Sequence, residues 1–153
     1  MTVTADDCRP HPAGSANEPY RWPSDDEGGA SEAYDLFVRG TAFLESGHPG
    51  QAAVLLTRAK RLTPGKTSVR EALARSYYAL GRFDHAAAEF AAVTEAAPCN
   101  DYAHFGLGCS LLRLGEPRRA TASLRLAVAM APDRDAYAER LSEAERRLGQ
   151  DRT

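Results

Sequence analysis

Three glycines, Gly47, Gly81 and Gly115, recur at intervals of 34 residues, and two further sets of landmarks keep that interval without a gap: Ala52, Ala86 and Ala120, and Pro64, Pro98 and Pro132. Three independent markers in one register mean a repeated structural unit. What each marker does physically says what the unit is. The Gly follows a stretch with helical apolar spacing, where it accepts positive φ at little cost and closes a helix. The Ala, five residues on, sits on a second helix where a small side chain lets two helices approach closely. The Pro ends that second helix because it has no N–H to donate to the preceding turn. Each unit is therefore a helix–turn–helix of two segments of roughly 12 to 14 residues, about 20 Å long each.

The apolar residues between the markers agree. In the first helices they are Leu36 and Phe43, Leu73 and Tyr77, Leu107 and Leu111, with a small residue beside them at Gly40, Ala74 and Gly108. In the second helices they are Leu56 and Ala59, Phe90 and Val93, Leu124 and Ala127. Ser68 and Glu71 have the spacing of a capping box opening the third helix. One hairpin cannot bury both its faces, whereas three stacked hairpins cover one another. The last would stay open without a lid, and residues 135–148, DAYAERLSEAERRL, supply one. Ala138, Leu141 and Leu148 form a stripe, with Glu139, Arg140, Glu143, Arg146 and Arg147 elsewhere, as a solvating cap helix requires. The expected architecture is all-α: residues 32–148 hold repeats over 33–66, 67–100 and 101–134 and a capping helix over 135–148. Residues 1–31 show neither helical nor strand periodicity and read as a disordered acidic tail, with 149–153 a disordered C-terminus.

Composition narrows the function. Over residues 1–30, Asp6, Asp7, Glu18, Asp25, Asp26 and Glu27 outweigh Arg9 and Arg21, giving −4, against −2 for the whole chain. A net charge so near zero lacks the basic footprint of a nucleic-acid binder, so no nucleic-acid partner is expected. No apolar run approaches the roughly 18 residues of a membrane span. The opening MTVTADDCRPHP lacks the basic and apolar regions of a secretory signal, so a cytoplasmic location is expected. Cys8, Cys99 and Cys109 form neither a disulfide framework nor a CxxC pair, and reduced thiols are the expectation.

These residues carry a resemblance. The second unit, TSVREALARSYYALGRFDHAAAEFAAVTEAAPCN, resembles the tetratricopeptide repeat, a helix–turn–helix unit of the same length. Its Leu73, Ala74, Tyr77, Gly81, Phe83, Ala86, Phe90 and Pro98 fall on that family's signature positions. The resemblance covers residues 33–148 and implies a right-handed superhelical stack of antiparallel helix hairpins. The chain departs from the pattern at Arg39, at Arg70 and His104, where Trp or Leu is common, and at Pro49 and Pro117, where Phe83 marks the turn. Looser packing at the N-terminal edge is the expected consequence.

Motifs for chemistry are weak. Gly106-Leu107-Gly108-Cys109-Ser110 begins like a dinucleotide fingerprint but follows no strand, lacks the third Gly and falls inside a repeat helix; helix packing explains Gly108. His11, His48, His85 and His104 lack metal-ligand spacing, and no Ser occupies a nucleophile elbow. No catalytic residue, metal or cofactor is expected.

The resemblance instead implies a concave groove lined by the first helix of each repeat. Its candidate lining is Tyr34, Phe37, Thr41 and Leu44; Glu71, Arg75 and Tyr78; and Tyr102, Phe105, Cys109 and Arg113, with Arg140 and Glu143 from the cap. Aromatic side chains and Arg are the usual anchors of interfaces. The implied function is a non-enzymatic adaptor that binds a peptide or helix of a partner protein. A self-associating structural module or small secretion-type chaperone is the alternative. Phe37 and Thr41 occupy the positions of the first Lys and Asn of the family's chaperone-tail clamp, which disfavours that ligand. Tyr20 and Trp22 suggest a further contact, the tail docking in a groove of its own chain or of a neighbour.

Overall fold

The computed structural model describes residues 28–152, which form seven helices: α1 (Gly28–Glu45), α2 (Pro49–Leu62), α3 (Thr67–Ala79), α4 (Phe83–Ala96), α5 (Asp101–Arg113), α6 (Pro117–Met130) and α7 (Asp135–Gln150). Consecutive helices pack as hairpins, and each hairpin packs on the next. The odd-numbered helices also approach in series, α1 to α3, α3 to α5 and α5 to α7, whereas the backbones of α2, α4 and α6 stay further from one another. Helices that crowd together on one side and spread on the other curve the stack. The odd-numbered helices are the inner wall.

The three glycines occupy equivalent bends. Gly47, Gly81 and Gly115 have φ of 81°, 74° and 76°. At the middle bend the Gly81 N–H donates to the Tyr78 carbonyl (3.0 Å) and the Arg82 N–H to the Tyr77 carbonyl (2.9 Å). That pair of bonds satisfies the last carbonyls of the helix and requires the left-handed residue between them. The other two bends repeat it. Pro64, Pro98 and Pro132 each follow a helix cap (Thr63, Ala97 and Ala131) of nearly the same backbone conformation. Pro49 and Pro117 open α2 and α6, where the missing N–H costs nothing.

The core runs along the stack. Leu56, Leu73 and Leu124 are wholly buried, as are Ala52, Ala86 and Ala120; each large aliphatic side chain so buried contributes about 1.5–3 kcal/mol. Gly40 and Gly108 serve close packing. A Cβ at Gly40 would lie 2.7 Å from Leu56 Cγ, and one at Gly108 2.5 Å from Leu124 Cγ.

Several local expectations are corrected. Helix α1 begins at Gly28, inside the stretch read as tail, and α7 runs to Gln150, past the expected end at 148. Tertiary packing overrides the poor helix propensity of the Gly28-Gly29 start: Ala33 and Leu36 are buried and Glu32 pairs with Arg58 of α2. Lys66 is the N-cap of α3 and its side chain makes no capping hydrogen bond, while Ser68 is the second residue of the helix, so there is no capping box. Asn100 does cap α5, accepting from the Ala103 N–H at 2.9 Å. In α7 the buried residues are Tyr137 and Ala144, with Leu141 and Leu148 half-buried, while Ala138 faces solvent.

Arg70 and His104 tie the second and third hairpins to the turns that precede them. The Arg70 Nε donates to the Pro64 carbonyl (3.0 Å), and the His104 Nε2 lies 2.9 Å from the Pro98 carbonyl. Arg70 also pairs at 2.9 Å with Glu89, a buried carboxylate that Lys60 contacts from the other side. Helices α2, α3 and α4 thus share one ionic knot, built from residues too distant in sequence to be recognised as partners.

Candidate functional site

The inner wall holds a cleft of about 350 Å³. Helix α1 contributes Leu44; α3 contributes Arg75, Tyr78 and Ala79; α5 contributes Tyr102, Phe105, Gly106 and Cys109; α7 contributes Arg140. Phe90 of α4 forms its floor. That ring reaches beneath α5 because residue 106 has no side chain: a Cβ there would lie 2.4 Å from Phe90 Cζ. Gly106 and Gly108 are both packing positions inside α5, which removes them from phosphate chemistry.

The aromatic side chains hold one another in place. Phe90 meets Tyr102 edge-on at 6.2 Å between centroids, Tyr102 lies 6.4 Å from Phe105, and Phe105 stacks on Tyr137 at 4.4 Å. The Tyr137 hydroxyl donates to Asp101 Oδ2 at 2.9 Å, which ties the cap helix to α5. A wall ordered before anything binds loses less entropy on binding.

The charged rim lies at the cap end. Glu143 accepts from Arg140 (2.7 Å) and Arg147 (2.6 Å), and Arg147 also donates to the Leu112 carbonyl (3.2 Å). The hydrogen bond from Arg140 holds the Glu143 carboxyl below its ordinary range and raises the Arg140 pKa in return. Arg113 sits 4.5 Å above the Phe83 ring and lines a smaller adjoining cavity of about 180 Å³. Burial raises the Tyr78 and Tyr102 hydroxyls and pushes the Cys109 thiol up to about 11. At neutral pH the cleft therefore presents neutral phenols, a protonated thiol and cationic guanidinium groups. A thiol so protonated is a poor nucleophile.

Of the sequence-derived candidates, Leu44, Arg75, Tyr78, Tyr102, Phe105, Cys109 and Arg140 converge on the cleft, and Arg113 and Glu143 on the adjoining cavity. Four do not line either. Tyr34 is exposed near the start of α1, and Phe37 is half-buried against the core residues of the first hairpin. The Thr41 hydroxyl bonds back to the Phe37 and Val38 carbonyls of its own helix, and Glu71 accepts from the Asn100 amide at 3.0 Å. Sequence reasoning missed Phe90 as the floor, Gly106 as the gap that admits it, and Arg147 on the rim. The pairing of Gly106 with Gly108 was the available signal.

The cysteines differ. Cys109 is a free, buried thiol, but Cys99 is disulfide-bonded, which corrects the expectation of reduced thiols. Cys99 lies in the exposed turn before α5. Cys8, Tyr20, Trp22 and the proposed tail contact lie outside the described residues. Among the described residues, no His, Cys, Asp and Glu group is placed to hold a metal, and no helix is long and apolar enough to cross a membrane.

Two tetratricopeptide-repeat family models match end to end, over residues 43–105 and 105–151. The chain belongs to the tetratricopeptide-repeat family. Its fold is similar to solved members of that family. The first TPR domain of RPAP3 (Spaghetti), bound to the HSP90 peptide SRMEEVD, is 16% identical with a TM-score of 0.75, over 78% of this chain and 94% of that one. The Arabidopsis OM64 TPR domain is 17% identical with a TM-score of 0.75, over 78% and 98%. The MamA protein of AMB-1 is 24% identical with a TM-score of 0.71, over 80% and 67%. At these identities the likeness is one of fold. No curated protein matches the chain in sequence. Tetratricopeptide-repeat membership points to a protein-interaction module and away from an enzyme.

Proposed function

We propose that this tetratricopeptide-repeat stack is a non-enzymatic adaptor whose inner cleft receives a segment of a partner protein. One observation carries the reading: Tyr78, Tyr102 and Phe105 converge over the Phe90 floor with Arg75 and Arg140 on the walls. The volume falls in the lower part of the roughly 300–1,000 Å³ range of binding clefts. It suits one or two anchoring side chains rather than a whole helix. The apolar floor favours an aromatic or branched aliphatic anchor, and the guanidinium groups favour a carboxylate or backbone carbonyl beside it.

Two RPAP3 domains of the same fold are seen with chaperone peptides, HSP90 SRMEEVD and HSP70 SGPTIEEVD. That ligand does not transfer to this chain. Phe37 and Thr41 hold the positions of two clamp residues, the first turned into the core and the second bonded to its own helix. The test is affinity capture from the source cell with wild-type chain and with Arg75→Glu and Arg140→Glu, both on exposed positions. Specific partners should be retained by wild type and lost from both variants. Equal capture by all three would remove the cleft from partner binding.

A further inference from the structure

A second groove lies on the opposite side of the first hairpin, along α2 and the α3–α4 bend. At about 580 Å³ it is larger than the inner cleft. Its apolar part comprises Val54, which is 70% exposed, Leu80, 40% exposed, and Tyr77. Its charged part is Arg58, Arg61 and Arg82, with no acidic residue among the lining. Val54 is the most exposed large apolar side chain of the described residues, and nothing in the partner-binding reading uses it.

The start of α1 says what can cover this groove. Glu32 pairs with Arg58, and Gly28 lies one helical turn earlier, about 6 Å along the axis. The chain therefore enters α1 beside the cationic end of the groove. Immediately before Gly28, outside the described residues, the sequence reads Asp25-Asp26-Glu27, preceded by Tyr20-Arg21-Trp22-Pro23. We propose that residues 20–27 of this chain lie back along α2 in this outer groove. The acidic triplet faces Arg58 and Arg61, and Trp22 covers Val54 and Leu80.

The lengths permit it. Trp22 is six residues before Gly28, a reach of about 20 Å in extended chain. Val54 is one helical turn from Arg58, about 6 Å along α2. The charges are complementary: residues 20–27 carry Asp25, Asp26 and Glu27 against Arg21, a net −2, and face three arginines, of which Arg61 and Arg82 supplement the Arg58 already paired with Glu32. An indole laid over Val54 and Leu80 removes from water the largest apolar exposure on this face. This contact is on the face away from the inner cleft, so it neither requires nor excludes partner binding there.

Trp22 is the only Trp in the chain, which makes it a probe needing no label. In the full-length wild-type protein its emission should be blue-shifted and resistant to acrylamide, unchanged on hundredfold dilution. Val54→Asp and Arg61→Glu, both on exposed positions, should shift the emission to that of a solvated indole and raise the quenching constant several-fold. Far-UV circular dichroism should stay unchanged. Arg140→Glu in the inner cleft should leave Trp22 as in wild type. A solvated indole in the wild-type chain overturns the proposal. So does protection that survives Val54→Asp and Arg61→Glu, which would place Trp22 elsewhere. Protection lost on dilution would assign the groove to a second copy and equally overturn it. If Val54→Asp fails to fold, Arg61→Glu alone decides.

Discussion

Gly108 offers a test of the packing in which the expected sign is opposite to helix propensity. Replacing Gly by Ala inside a helix normally stabilises, by up to about 1 kcal/mol. Here the new Cβ would lie 2.5 Å from Leu124 Cγ, 2.9 Å from its Cδ2 and 3.3 Å from the Ala120 carbonyl oxygen. Carbon atoms pack at about 3.5–4.0 Å, so Leu124 must retreat by about 1 Å. It is wholly buried, in an interior that is close-packed. Helix α6 must shift with it, because the Ala120 carbonyl is also too close. Overpacking of this kind costs about 1–3 kcal/mol, so the net loss expected for Gly108→Ala is about 1–2 kcal/mol. The control is Gly149→Ala in α7, where nothing lies within 4 Å. It should be neutral or slightly stabilising. Urea unfolding followed by circular dichroism should lower the Gly108→Ala midpoint by about 0.5–1 M if m is about 2 kcal/mol/M. A Gly108→Ala midpoint at or above wild type would refute the close approach of α5 and α6.

Two further outcomes follow from the buried charges and the cleft. Glu89→Ala removes the carboxylate shared by Lys60 and Arg70; both cations are partly exposed and regain water, so the loss should be about 1–3 kcal/mol, read from the urea midpoint. For Cys109 the folded thiol titrates near 11, above an ordinary thiol. The unfolded chain therefore loses this proton first, and its contribution to stability is fully present below the ordinary thiol pKa and declines as pH rises toward about 11. Iodoacetamide labelling of Cys109 should be slow at neutral pH and become rapid on unfolding; rapid labelling of the native protein would contradict the burial.

How far the sequence reaches is plain from particular residues. The 34-residue register places every bend and helix stop, because Gly in a left-handed bend and Pro after a cap act locally. The inner cleft depends on how helices cross, and there a fixed register misleads. The cleft meets α1 only near its C-terminal end, at Leu44, then the later half of α3 at Arg75 and Tyr78, then the earlier half of α5 at Tyr102 and Phe105. It runs obliquely over the wall, so Tyr34, Phe37 and Thr41 fall outside it although their repeat positions match residues within or beside it. Contacts such as Glu89 with Lys60 join positions set by tertiary packing and carry no local signature.

The central claim is that the odd-numbered helices present a docking wall, and hydrogen–deuterium exchange on the full chain tests it most directly. With a captured partner segment bound at saturation, added protection should fall in α3 around Arg75–Ala79, in α5 around Tyr102–Cys109 and in α7 around Arg140. Protection confined to α2, α4 and α6, with the inner wall exchanging as in the free protein, would contradict the account.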